Sequence, residues 1–294
     1  MLITYLLKKS FLSHNQFLLT IISALFFGGL LLPSDEEMIQ EALKTVEAAQ
    51  KAGLILRIIG AGAVRIHCPN NLNLHKALGR TLSDIDYIAY SKQRDKIEKF
   101  FVEELKYELV KAAITPGLFM ERSIFIDNTG NRPHVDVFYD RLRMNHIIEF
   151  KDRLEKDYPT IPLEELMLEK LQIVKINEKD IKDLIVLILE HEIGENGKEI
   201  INAKHIAKIL AKDWGFYYTV TTNLNKVESF LQKYEVLTQE NREVISTRIK
   251  KLLKYIEDEP KPLKWKLRAK IGPAAKWYEE VEEVERVELP KELK

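Results

Sequence analysis

From residue 35 the apolar positions follow a helical period. Met38, Ile39, Leu43, Val46 and Ala49 fall on one face of a helix expected over 35–52, with Gly53 as a natural stop. Residues 54–59 (LILRII) form a short β-rich run that halts at Gly60-Ala61-Gly62. A helix is expected over 61–67, ended by Pro69 and the Asn70-Asn71 turn. Residues 85–90 (IDYIAY), 122–126 and 134–139 read as strands, the last two joined by a turn over 127–131. Between them, Ile97, Phe100, Phe101 and Leu105 predict an amphipathic helix over 92–105. Beyond Pro162 the period is helical throughout, with helices expected over 163–176, 178–191, 199–213, 221–234, 238–257 and 273–286. The first half is therefore mixed α/β and the second half helical, without an internal repeat.

The N-terminal stretch stands apart. No Lys, Arg, Asp or Glu lies between Lys9 and Asp35, and residues 17–32 (FLLTIISALFFGGLLL) are nearly all apolar. Residues 10–34 read as a membrane anchor, as the hydrophobic part of a signal peptide, or as a tail adding little to the globular part. Lys8 and Lys9 before it and Asp35, Glu36 and Glu37 after it would hold an anchor's N-terminus inside and send the rest outward. The expected organisation is an apolar segment over 1–34, an α/β domain over 35–160 and a helical domain over 161–294.

Composition adds exclusions. The 294 residues carry 45 Lys or Arg against 45 Asp or Glu, a formal net charge of zero, with 46 % apolar residues. That is a globular composition, and it excludes binding to nucleic acid by bulk charge while leaving local patches open. A single cysteine, Cys68, excludes an intramolecular disulfide and a Cys-rich zinc site.

The sharpest local feature is Ser83-Asp84-Ile85-Asp86 at the start of a strand. Alternate strand residues share a face, about 6.5–7 Å apart. Two such carboxylates resist joint ionisation unless a cation lies between them, and hard Mg²⁺ prefers oxygen donors. Asp136 sits among apolar strand residues in His134-Val135-Asp136-Val137-Phe138, where an unpaired charge is costly. If the two strands are neighbours, three aspartates converge as two-metal phosphoryl chemistry requires. The plainer alternative makes Asp84 and Asp86 a turn or cap and pairs Asp136 with an arginine.

Upstream, Ile59-Gly60-Ala61-Gly62 joins a strand to a helix start, which lets backbone N–H groups approach phosphate. A dinucleotide-binding βαβ unit is the competing reading. Against it, Arg65 takes the third glycine position, and Asp84 begins a strand where a ribose-binding acid should end one.

Taken in order, the strand with Gly60-Ala61-Gly62, then Arg80-Thr81-Leu82-Ser83-Asp84-Ile85-Asp86, then His134-Val135-Asp136, resembles the nucleotidyltransferase superfamily typified by DNA polymerase beta. The similarity is nearest to the AbiEii-type branch, which includes toxins of bacterial toxin–antitoxin systems. Glu169-Lys170-Leu171-Gln172 and Lys179-Asp180-Ile181-Lys182-Asp183-Leu184 stand where that branch has a helical lysine and a basic-Asp-x-x-Asp helix. The likeness covers residues 50–192, and Ala61 departs from the family's Gly-Gly/Ser pair by offering no hydroxyl.

The resemblance implies an α+β fold, with a nucleotidyltransferase-like mixed sheet and flanking helices followed by an all-helical C-terminal domain. It implies two Mg²⁺ ions on Asp84, Asp86 and Asp136, the last also orienting the nucleophile. Gly60, Ala61 and Gly62 would form the phosphate-facing element, and Lys170 would meet the triphosphate. Lys179, Asp180 and Asp183 would contact the nucleotide or support those that do. The implied activity is transfer of NMP from an NTP to a hydroxyl on an unknown protein or RNA acceptor. The alternative is a nucleotide- or RNA-binding protein of the same fold without turnover. An antitoxin partner belongs to the same implication. NTP use favours the cytoplasm, with membrane association through residues 10–34 as the alternative.

Plainer readings accompany several of these residues. Lys170 is otherwise an exposed helix lysine, and Asp180 and Asp183 otherwise pair with Lys179 or Lys182 on a solvated face. Arg65 and Arg80 bind phosphate or pair structurally. His134 tunes Asp136 or simply packs. His67 and Cys68, as sequence neighbours, are poorly placed for a Cys–His pair, and His191 and His205 lack a metal-ligand spacing partner and read as structural. Residues 248–276 hold ten Lys or Arg against three acids, with Trp265 and Trp277 interleaved, and 279–288 hold six Glu. RNA contact, or mutual pairing of solvated helices, fits that pattern.

Overall fold

A computed structural model describes residues 33–110, 122–129 and 131–280. The apolar segment over 1–32, Gly130 of the expected turn and the acidic end beyond residue 280 lie outside the described residues. Among the described residues, no helix is long and apolar enough to cross a membrane.

Helix α1 (Asp35–Lys51) opens with a capping box. The Ser34 hydroxyl accepts from the Glu37 amide, and the Glu37 carboxylate accepts from the Ser34 amide. Three acids in its first turn suit the positive end of the helix dipole. It buries Met38, Ala42, Val46 and Ala49 beneath the sheet, and Gly53 turns the chain at φ +73°.

Strand β1 (Leu56–Ile59) runs straight into α2 (Gly60–His67), and α3 (Leu72–Ala77) leads to β2 (Ile85–Ala89). Helix α4 (Arg94–Lys99) continues as a π-helical turn through Glu104, which sets Phe100 and Phe101 into the core. Strands β3 (Glu108–Leu109), β4 (Arg122–Ile126) and β5 (Val135–Tyr139) complete a five-stranded sheet in the order β1-β2-β5-β4-β3. Only β2 and β5 pair in parallel; the other three pairings are antiparallel, so the sheet is mixed. The antiparallel β1–β2 pairing excludes the parallel βαβ unit of a dinucleotide fold.

A hairpin of β6 (Arg141–Arg143) and β7 (Ile147–Glu149), which the hydrophobic pattern did not reveal, follows β5 directly. The helical half comprises α5 (Leu163–Leu171), α6 (Glu178–Glu190), α7 (Ala203–Leu210), α8 (Trp214–Phe230), α9 (Gln239–Asp258) and α10 (Leu263–Ile271). It also carries a short parallel pair, β8 (Glu192–Gly194) with β9 (Ile200–Asn202), which takes up the start of the helix expected over 199–213. No helix forms over the described part of 273–286: a single 3₁₀ turn spans Gly272–Ala274, and Pro273 removes an amide donor there. Helix α5 packs against α2, α6, α7 and α8. One cluster of buried apolar side chains runs from Met38 in α1 to Ile256 in α9, so the sheet and the helices share a core.

Candidate functional site

Strands β2 and β5 are buried at four of five positions, and the exception in each is an aspartate, Asp86 in β2 and Asp136 in β5. The parallel register sets these two opposite one another. With a period of two, Asp84 shares their face from just before β2. The topology therefore brings the three aspartates to one end of the sheet's central pair.

Gly60 closes the site from the β1 side. Ile59 pairs with Asp86 across the antiparallel ladder. The next residue, Gly60, adopts φ +68°, and a Cβ there would lie 2.9 Å from Asp86 Oδ2. Only glycine meets both demands. The Gly60 amide donates to Glu169 Oε2 at 3.2 Å, so a carboxylate on α5 lies against the first turn of α2. Ala61 and Gly62 follow inside α2, where Gly62 packs on Ile58.

Burial and mutual repulsion make these crowded carboxylates resist ionisation. Burial and then Asp84, Asp136 and Glu169 push the Asp86 carboxyl well above the usual range, against the pull of Lys170. Burial also raises Asp136, opposed by Arg122 and His134. Glu169 is pushed up to about 7, chiefly by burial. The Arg122 guanidinium reaches Asp136 Oδ2 at 3.3 Å from β4, while Asp136 Oδ1 is buried with no hydrogen-bond partner among the described residues.

Lys170 lies in α5 beside Glu169, and it is buried, not exposed. Its ammonium sits 3.3 Å from Asp180 Oδ1 and 3.2 Å from Asp183 Oδ2, both on α6. Asp183, fully buried, also accepts from Arg80 through both oxygens, Nε at 2.9 Å and Nη2 at 3.1 Å. Burial would raise the Asp183 carboxyl, but Lys170 and Arg80 outweigh it and hold Asp183 below the usual carboxylate range. Arg65 in turn bonds Asp35 Oδ2 at 3.1 Å, His75 and the Arg80 carbonyl. Arg65, Arg80 and Asp183 thus form a buried structural chain joining α1, α2 and α6 beneath the site. Lys179 is exposed in the first turn of α6, outside this buried network.

These groups surround a cavity of about 210 Å³ lined by Asp86, Arg122, Asp136, Glu169, Lys170, Gln172 and Asp180, with an apolar wall including Ile59 and Phe138. Sequence reasoning missed Arg122, Glu169 and Gln172 as lining residues. Gln172 is the most telling, because its side chain is fully buried and neither amide atom has a hydrogen-bond partner among the described residues. Its signal was faint: a lone polar residue at the end of α5, between Leu171 and Ile173.

An all-oxygen donor set fits a hard divalent cation: two neighbouring aspartates resist joint ionisation, and one buried carboxylate oxygen has no partner among the described residues. The three aspartates do not present a ready-closed cage. Among the described residues, the set with one donor atom from each of three side chains within 4.8 Å of one another is His67, His191 and Glu199, elsewhere in the fold.

The remaining candidates are mainly structural. His134 is half-buried on the Asp136 face. Cys68 is buried, and burial pushes its thiol up, away from a nucleophilic thiolate. His205 Nε2 meets Glu165 Oε1 at 2.9 Å. In the basic segment, Trp265 Nε1 donates to the Leu210 carbonyl and Trp277 Nε1 to Thr219 Oγ1, each at 3.1 Å. Arg268 stacks over Trp214, and Arg248 bonds the Ile188 and Leu189 carbonyls. Both tryptophans and these two arginines are engaged within the helical half.

No protein-family model matches the chain, and no curated protein matches it in sequence. A solved structure of an antigenic nucleotidyltransferase-like protein from Paracoccidioides brasiliensis aligns over 78 % of this chain and 96 % of its own, at 14 % identity and a TM-score of 0.34. At that score the placement of this chain's own residues, not the alignment, carries the functional reading.

Proposed function

We propose that this protein is a metal-dependent nucleotidyltransferase that moves NMP from an NTP to a hydroxyl acceptor, a protein or an RNA. The observation that supports it best is the joint placement of Gly60, Asp86 and Asp136. Two in-register carboxylates on adjacent parallel strands face a glycine that keeps the α2 entrance open. In such a reaction the acceptor oxygen bonds the α-phosphorus, the bond to the β-phosphate oxygen breaks, and pyrophosphate leaves.

Asp84, Asp86 and Asp136 would hold Mg²⁺, which when bound supplies charge neutralisation for the phosphates. Asp136, whose Oδ1 has no hydrogen-bond partner among the described residues, would also orient the acceptor's hydroxyl. Gly60 leaves room for phosphate oxygens that a side chain would occupy. Lys170, set by Asp180 and Asp183, contributes fixed positive charge to the cavity wall. Lys179, exposed on α6, would meet the nucleotide only from the rim. NTP use places the enzyme in the cytoplasm, and the toxin-like resemblance makes an antitoxin partner part of the proposal.

The test is incubation of the full chain with Mg²⁺ and α-labelled NTPs, with cell extract as acceptor. Label transfer is expected, and it should disappear in the Asp84→Ala, Asp86→Ala double variant; transfer that survives would sink the assignment. One observation favours a second reading, a nucleotide-binding protein without turnover: Arg122 already neutralises Asp136 at 3.3 Å. Calorimetric NTP binding with no pyrophosphate release under any acceptor would support it.

A further inference from the structure

We propose a second cation site, for a zinc-type ion, formed by His67, His191 and Glu199. It is independent of the nucleotidyltransferase reading. His67 is the last residue of α2, His191 caps the C-terminus of α6, and Glu199 immediately precedes β9. These residues lie up to 132 positions apart in the chain, yet one donor atom from each falls within 4.8 Å of the others.

The hydrogen-bond partners fix which ring nitrogens are available. His67 Nε2 is surrounded by acceptors: Thr160 Oγ1 at 2.8 Å, the Ile161 carbonyl at 3.0 Å and Asp157 Oδ2 at 3.3 Å. Thr160 spends its own proton on Asp157 at 3.2 Å, so its oxygen accepts from the ring. The His67 hydrogen therefore sits on Nε2, and Nδ1 keeps a lone pair. His191 has acceptors at both ring nitrogens: the His67 carbonyl 3.0 Å from Nε2, and the Glu199 carbonyl and Oε2 at 3.3 and 3.8 Å from Nδ1. A neutral imidazole has a single N–H and cannot donate at both, which leaves one contact lone pair against lone pair. A cation beside Nδ1 relieves it.

Two imidazoles and one carboxylate suit Zn²⁺ and not Mg²⁺, which favours all-oxygen sets and keeps its waters. The Thr160–Asp157 pair behind His67 has the form of the carboxylate and hydroxyl support that orients metal-binding histidines. The three residues line a cavity of about 400 Å³ that leaves room for a water or ligand at a fourth position. A bound ion would tie the far end of α2, whose first residue is Gly60, to the ends of α6 and the loop before β9.

The test uses the full chain, stripped with chelator and titrated with Zn²⁺ by calorimetry in excess Mg²⁺, which occupies hard-oxygen sites. Co²⁺ loading in parallel reports an imidazole-bound ion by its visible absorption. One Zn²⁺ per chain is expected. Glu199 is exposed, so Glu199→Gln should leave the circular dichroism spectrum unchanged and weaken Zn²⁺ at least tenfold. Thr160→Val, which touches no ion, should weaken it about 10–100-fold through His67. His191→Ala should abolish the Co²⁺ bands; if that variant fails to fold, Glu199→Gln decides. Absence of Zn²⁺ binding, or binding that neither Glu199→Gln nor Thr160→Val weakens, overturns the site.

Discussion

Glu169→Gln isolates one strained charge at the candidate active site. The carboxyl is pushed from its ordinary 4.5 up to about 7, chiefly by burial. Glutamine keeps the shape and can still accept from the Gly60 amide, so the change removes the titration and little else. Because the folded-state value is raised, the protonated group favours folding. Its contribution is fully present below about pH 4.5 and is lost as pH rises through about 7. At 1.36 kcal/mol per pH unit, the loss amounts to about 3 kcal/mol. The assay is urea unfolding of both proteins from about pH 5 to about pH 8, reading the difference in unfolding free energy so that shared titrations cancel. The two should be nearly equal at the acid end, with the variant the more stable by about 3 kcal/mol at the alkaline end. A difference that does not change with pH would refute the burial and charge argument for Glu169.

Three further outcomes are expected. Asp183→Asn removes the buried charge that Arg80 and Lys170 share, leaving Lys170 with Asp180 alone, and should cost about 3–5 kcal/mol in denaturant unfolding. Gly60→Ala forces an L-residue to φ +68° and against Asp86 Oδ2, so a loss of at least about 1–2 kcal/mol is expected by the same measurement. Mg²⁺ binding at Asp86 and Asp136 should release protons, since both hold them above the usual carboxylate range. Calorimetry in buffers of different ionisation enthalpy should then give different apparent heats, and affinity should rise with pH; equal heats in every buffer would contradict the raised carboxyls of Asp86 and Asp136.

Much of the secondary structure was legible because it is local. Periods of 3.6 and 2 placed α1, β2, β4, β5 and α6 within a few residues of their observed ends. The β6–β7 hairpin was not legible, because its three-residue strands are too short to show a period. The same holds for β9, which read as the start of the helix expected over 199–213, and for β8, which lies in the gap before it.

By itself the chain determined where the carboxylates fall on their strands. Alternation fixes which strand face a side chain occupies, and costly burial marks Asp136 as a residue that needs a partner. Strand order and register were decided only by tertiary structure. A strand pattern does not say that β2 lies parallel to β5 and antiparallel to β1, yet those pairings set Asp86 between Gly60 and Asp136. Helix packing likewise decided that Lys170 turns inward to Asp180 and Asp183, and that the buried Gln172 amide lines the cavity. His67, His191 and Glu199 meet for the same reason. Their encounter joins positions with no local relation, and only the closing of α6 and β9 over α2 brings it about.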